Sequence, residues 1–236
     1  MTIYSPFETA VPVVVQAALL AAGLMMLAGV HVRRKLAAAG GGVVPDEGVT
    51  LRNVLEVLIE GLANLARDRI GEDWRSYFPI IATMFFFILL SNLMGLIPGV
   101  GGSTSDVNAT FSWAVIAWVL YTWIGIAKHK GRYLIKYMGP KIAIKIFGRT
   151  LQLRLLALPM MIIEIPLDLA RIGTLALRLL ANMFADHVVI AVWVKLVPIL
   201  VPAVFMGLGL VVAVLQAFVF ALLTMIYIGL ALDEPH

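Results

Sequence analysis

Apolar residues in this chain come in runs of membrane length, and the polar residues interrupting the later runs fall at helical spacing. Val11 to Val30, Phe78 to Pro98 and Ala109 to Ala127 are three such runs. Each holds about 20 residues, enough for a helix to cross a hydrocarbon core of about 30 Å. Between the first two, Leu51, Leu55, Leu58, Ile59, Leu62 and Leu65 recur on one side of a helix, while Arg52, Glu56, Glu60, Asn64 and Arg67 take the other. That pattern predicts an amphipathic helix over 50–70 lying on the membrane surface, with docking onto a soluble partner as the other use of such a face. Gly40-Gly-Gly42 and Pro45-Asp-Glu-Gly48 mark the approach to it as a loop.

The C-terminal third has a different pattern. Residues 155–194 read as one long helix whose polar members are Glu164, Asp168, Arg171, Arg178, Asn182 and Asp186. At about 100° per residue these six fall within a stripe roughly 80° wide, and the remaining faces are Leu, Ile, Ala, Met and Val. The stripe must face protein or water while the rest can face lipid. Asp168 and Arg171, three residues apart, suit an internal ion pair. Arg178 is different: its polar neighbours one turn away include Thr174 and Asn182 and no acid. A guanidinium stays charged at any physiological pH and costs several kcal/mol or more at bilayer depth. Its partner is therefore expected on another helix or another subunit.

The last run, 203–231, makes about 43 Å of helix, more than a perpendicular crossing needs, so it must tilt, extend beyond the bilayer or break. Its few polar residues, Gln216, Thr224 and Tyr227, cluster around the helix, beside a ridge of Gly209, Ala213, Ala217 and Ala221 that admits close approach by another helix. A hairpin of the last two helices, turning at Lys195 to Pro202, brings Gln216 towards the Arg178 stripe.

Composition agrees with this division. Hydrophobic residues make up 61% and charged residues 14% of the 236, and the mean hydropathy is +0.98, so the chain is a polytopic membrane protein forming a single membrane domain over 1–236. The net charge of +4 is a topology signal rather than a nucleic-acid footprint, because the basic residues lie between the apolar runs. Residues 31–77 carry seven Lys or Arg and residues 128–154 carry eight, whereas 99–108 carry none. The positive-inside rule puts both basic stretches in the cytoplasm, with the N-terminus outside and the C-terminus cytoplasmic. Basic residues follow the first run as His31-Val-Arg33-Arg34-Lys35 and do not precede it, unlike a secretory leader. The absence of cysteine excludes disulfides, thiolate metal sites and cysteine nucleophiles. Gly99-Val-Gly-Gly-Ser103 lacks the Gly-Lys-Ser/Thr of a phosphate loop, so no bound nucleotide, cofactor or metal is expected.

Several segments together resemble the a subunit of F-type ATP synthases. They are Pro79-Ile-Ile-Ala-Thr-Met-Phe-Phe-Phe-Ile and Ser91-Asn-Leu-Met-Gly-Leu-Ile-Pro98 in the second run, Asp106-Val-Asn108-Ala-Thr110 before the third, Leu175-Ala-Leu-Arg178-Leu-Leu-Ala-Asn182-Met, and Leu215-Gln216-Ala-Phe-Val-Phe-Ala-Leu-Leu-Thr-Met-Ile-Tyr227. The resemblance implies an all-α polytopic fold: an N-terminal transmembrane helix, a surface amphipathic helix, a transmembrane hairpin, then two long, strongly tilted helices packed as a hairpin. It implies a stator that stands against a ring of c subunits, held by the b-subunit peripheral stalk and the rest of the synthase among membrane lipids. In that family an arginine matching Arg178 faces the carboxylate of each passing c subunit, and two offset aqueous half-channels reach that carboxylate from opposite sides. By position, Asn182 and Gln216 match residues near the arginine, Thr174 a small hydroxyl one turn earlier, and Glu164 a carboxylate nearer the cytoplasmic end. Asp186 and His187 lie towards the outer end, where a carboxylate and an imidazole can relay protons. Tyr227 completes the proton-pathway candidates.

This chain departs from the family pattern at two places. Some members carry a second acidic or imidazole group seven residues before the glutamine, where this chain has Gly209, so the outer relay rests on Asp186 and His187. Ala181 stands where a glycine is common. The resemblance implies proton translocation, with ATP chemistry left to partner subunits, and the short N-terminus without a transit peptide points to a bacterial plasma membrane, with an organellar membrane as the alternative. An ion channel or a secondary transporter would also hold charge at mid-membrane, but transporters typically use internal repeats, and no second copy of the arginine stripe is present. A membrane anchor alone needs no unpaired arginine.

Overall fold

The computed structural model describes residues 12–38, 50–97, 100, 102–130, 142–146, 149–153, 157–196 and 200–233. Among the described residues, six α-helices carry the fold: α1 (Val13–Ala38), α2 (Leu51–Ile70), α3 (Trp74–Gly95), α4 (Val107–His129), α5 (Ala157–Leu196) and α6 (Leu200–Leu232). Among the described residues, five helical stretches are long and apolar enough to cross a membrane: Val13–Lys35, the apolar part of Leu51–Gly95, Val107–His129, Ile162–Lys195 and Leu200–Leu232. The chain is a multi-pass, helical membrane protein. One short antiparallel hairpin stands outside that description, pairing β1 (Ile142–Ile146) with β2 (Arg149–Leu153) in the register Ile142 opposite Leu153 and Ile146 opposite Arg149. It lies in the second basic stretch, between α4 and α5, where alternating Ile and Leu suit a strand.

Local chemistry sets several helix ends. Thr50 Oγ1 accepts from the backbone N–H of Asn53 at 3.3 Å and caps α2, and Gly71, at φ +79°, closes it with its N–H on the Arg67 carbonyl. A 3-10 turn, Gly71–Asp73, leads directly into α3. Asp106 caps α4 by accepting from the Asn108 N–H at 2.7 Å. A second 3-10 turn, Ser103–Ser105, is pinned to the C-terminal end of α3: Ser103 Oγ donates to Ser91 Oγ and Thr104 Oγ1 donates to Asn92 Oδ1, both at 2.8 Å.

Helix α6 is the hub, touching α2, α3, α4 and α5. Ile81, Phe85 and Ile88 of α3, Tyr121 of α4, Leu179 of α5 and Phe220 of α6 share one buried core. The ridge Gly209, Ala213, Ala217 and Ala221 is buried throughout. It serves α3 as well as α5: the Ala213 carbonyl accepts from Asn92 Nδ2 at 3.4 Å, and a Cβ on Gly209 would lie 2.6 Å from Leu96 Cδ2. The expectation that the ridge is the seam of the terminal hairpin is therefore too narrow. Helix α1 is peripheral, with Ala17 and Ala21 buried and most of its larger apolar residues exposed, Leu19, Met26 and Leu27 among them.

Helix α2 departs from its expected polarity at one residue. Arg52, assigned to the polar side, is only 3% exposed, with Nε on Glu56 Oε1 at 3.0 Å, while Leu51 and Ile59 are exposed. The buried line of α2 also takes in Leu62, Ala66 and Ile70, which face α3 and α6. Cross-helix packing, not the hydrophobic side alone, sets this rotation.

The last turns of α6 approach α2 so closely that a Cβ on Gly229 would collide with the Arg69 carbonyl oxygen. Gly229→Val is expected to lower the thermal midpoint of the detergent-solubilised protein, with a cost of about 1–3 kcal/mol as for other overpacked positions. Gly61→Ala, on α2 with nothing near its Cβ direction, is expected to raise or preserve that midpoint, because alanine favours helix by up to about 1 kcal/mol.

Candidate functional site

Helix α5 supplies most of the candidate residues, and its length explains how they span the membrane. Its 40 residues make about 60 Å of helix, and the 33 of α6 about 50 Å, so each exceeds a core of about 30 Å and must tilt or extend beyond it. The buried face of α5, with Leu175, Ala176, Leu179 and Met183, packs inward. The polar stripe lies along one edge of that face and passes through different environments. Asp168 is 4% exposed, Glu164, Arg171, Asn182 and Asp186 are half-buried, and Thr174 and Arg178 are exposed.

Arg178 makes no hydrogen bond or ion pair among the described residues. One turn further on, Asn182 Nδ2 donates to Gln216 Oε1 at 2.8 Å, which ties α5 to α6 beside the arginine. Gln216 is 4% exposed, and its Nε2 finds no partner among the described residues. The buried amide donor of Gln216 is thus tied to α5 one turn from the exposed cation Arg178. Both recognise an oxygen acceptor, whether a carboxylate or water.

Two turns beyond Arg178, Asp186 lies against Gly209: a Cβ there would sit 3.2 Å from Asp186 Oδ2. The space beside Gly209 is shared by the Leu96 side chain and the Asp186 carboxylate of α5. The His187 side chain lies outside the described residues. Two turns before Arg178, Arg171 Nη1 reaches Asp168 Oδ1 at 2.7 Å, and its guanidinium carbon stands 5.4 Å from the centre of the Tyr227 ring. Tyr227 in turn lies 5.5 Å from the ring of Tyr121 on α4. Thr174 Oγ1 donates to the Arg171 carbonyl at 3.1 Å.

The structure thus brings together Asn182 with Gln216, Asp186 with Gly209, and Arg171 with Asp168 and Tyr227. It does not bring Glu164 and Asp186 together, since they stand about 33 Å apart along one helix. A cavity of about 430 Å³ lined by Val107, Leu177, Leu180, Ala181 and Phe184 is apolar and lies across α5 from the stripe. Reading the sequence for chemistry overlooked the buried group of Ser91, Asn92, Ser103 and Thr104, all at most 1% exposed. The adjacent Ser91-Asn92 inside an apolar run was the available signal.

Comparison with known proteins gives a consistent match. The family described as the ATP synthase A chain matches residues 13–229. The ATP synthase subunit a of Bdellovibrio bacteriovorus is 39% identical over 210 residues, covering 88% of this chain and 86% of that protein. The ATP synthase subunit a of Geobacter sulfurreducens is 41% identical over 186 residues, covering 79% and 76%, and that of Trichlorobacter lovleyi is 40% identical over the same shares.

The Asn182–Gln216 bond generates a direct test. A double-mutant cycle with Asn182→Ala and Gln216→Ala, read by thermal unfolding in detergent, is expected to give a coupling energy of about 1 kcal/mol. Additive single effects would mean that the bond does not form in the folded protein.

Proposed function

This chain belongs to the ATP synthase A chain family, and from that premise we propose that it is the stator a subunit of a proton-translocating F-type ATP synthase, with Arg178 as its coupling charge. The observation that carries the reading is the exposed guanidinium on a membrane-length helix with no hydrogen bond or ion pair among the described residues. Its counter-ion comes from outside the chain, and a carboxylate on each passing c subunit supplies it.

A fixed positive charge favours the ionised form of that carboxylate. Each carboxylate therefore releases its proton on approach and takes up another only after leaving. The same charge stands between two half-channels and blocks direct passage of a cation from one to the other. Protons cross by riding the ring, and rotation is coupled to their flow. Asp186 and His187 serve the outer half-channel; Glu164, Thr174 and Tyr227 serve the inner one. Asn182 and Gln216 flank the arginine and offer hydrogen bonds to the carboxylate or to water as it passes.

The c ring packs against the exposed edge of α5 and α6, and the b-subunit stalk holds the chain against the torque. The N-terminus faces outward and the C-terminus the cytoplasm of a bacterial inner membrane. ATP binding and phosphoryl transfer take place on other subunits.

ATP-driven proton pumping in inverted membrane vesicles tests the reading. Arg178→Ala is expected to assemble and to hydrolyse ATP but to pump no protons. Pumping at the wild-type rate would make the arginine a structural residue and overturn the proposal.

A further inference from the structure

Two arginines lie on the stripe of α5, seven residues apart, and the structure treats them in opposite ways. Seven residues place Arg171 and Arg178 about 10 Å apart along the helix and within about 20° of each other around it. Both therefore project towards the same edge of α5. Arg178 is exposed and makes no ion pair among the described residues. Arg171 is held by Asp168 at 2.7 Å, the carboxylate side chain being 5% and the guanidinium side chain 28% exposed, and it also lies over the Tyr227 ring.

Resting on the stator reading above, we infer that Asp168 is a positioning residue for coupling: it cancels the charge of Arg171 and leaves Arg178 as the single uncompensated cation that a passing c-subunit carboxylate meets. Without Asp168, a second guanidinium would face the same path two turns nearer the inner end. Opposite charges attract over about 10 Å in a medium drier than water, where salt screening is weak. The carboxylate would then be held ionised at a place where it must regain or release its proton through the inner half-channel. The Tyr227 ring supports the arrangement by fixing the guanidinium plane against α6, where a cation is attracted to the ring face.

This role predicts asymmetry between the two partners of the ion pair. Asp168→Asn leaves a free cation and is expected to slow proton pumping per assembled complex by about ten-fold. Arg171→Gln removes the cation and leaves no competing positive charge, so its pumping per assembled complex is expected to stay within about two-fold of wild type. The double variant Asp168→Asn, Arg171→Gln is expected to recover most of the loss, and Asp168→Glu, which keeps the carboxylate, to pump like wild type. Should Asp168→Asn fail to assemble, Asp168→Ser, with room for water beside the guanidinium, takes its place.

A pair that serves only to clamp the fold would give a different result: both single variants would lose pumping alike, with no gain in the double. That pattern, or wild-type pumping in Asp168→Asn, overturns the inference. Arg178→Ala in the same vesicles separates the two failures. If it pumps, the stator reading itself falls; if it is silent while Asp168→Asn pumps normally, only the inference about Asp168 falls.

Discussion

A guanidinium that must stay charged, on a helix that must stay in the membrane, is the constraint to which the C-terminal half answers. Buried charges are ordinarily paired, because desolvation costs far more than a folded protein can absorb at one residue. Asp168 with Arg171 and Glu56 with Arg52 follow that rule within the chain. Arg178 does not, and it stands on the exposed edge of α5 instead of in the core. On the proposed reading the isolated chain is therefore an incomplete electrostatic object, and the missing carboxylate is delivered repeatedly by a moving partner.

Holding one cation at a fixed place against a moving surface requires a rigid mount, and α6 supplies it. Its small residues let α3 and α5 approach on one side, while Gly229 lets the carbonyl of Arg69 sit against its last turns. The closeness is specific, because dispersion falls off steeply with any gap and a collision costs more than a gap. Polar bonds then fix the rotation of the seam. Asn182 with Gln216 sets α5 against α6 near the arginine, and Asn92 with the Ala213 carbonyl sets α3 against α6 one turn away. Helices this long exceed a perpendicular crossing, so such contacts, and not the bilayer alone, fix how they lie.

Much of this was legible in the sequence, because it depends on short-range periodicity. The stripe through Glu164, Asp168, Arg171, Arg178, Asn182 and Asp186 follows from steps of three, four and seven residues, and the Asp168–Arg171 pair from a step of three. The closeness of Gln216 to the stripe followed from pairing two consecutive long helices. What remained hidden depends on contacts between distant segments. The burial of Arg52 is decided by what packs over α2, which no pattern inside α2 reveals. Asn92 meets Ala213 across more than a hundred residues, so its partner is invisible to any local reading. The hairpin of Ile142–Ile146 with Arg149–Leu153 was lost among the charges of a basic stretch that was read for topology and not for strand alternation.

The placement of charge along α5 carries the synthesis one step further. Arg178 lies about 12 Å from Asp186 and about 21 Å from Glu164 along the helix axis. The outer route proposed for protons is therefore short, and the carboxylate that begins it is seated directly against the backbone of Gly209. The proposed inner route is longer and passes Arg171, a cation that would repel a proton and attract the ring carboxylate if it stood alone. A longer inner path thus creates a need that the outer path does not have: its intervening cation must be neutralised without removing the polar surface that the path needs. On the reading proposed above, a buried aspartate three residues away satisfies that need, and the Tyr227 ring on α6 keeps the resulting pair in place.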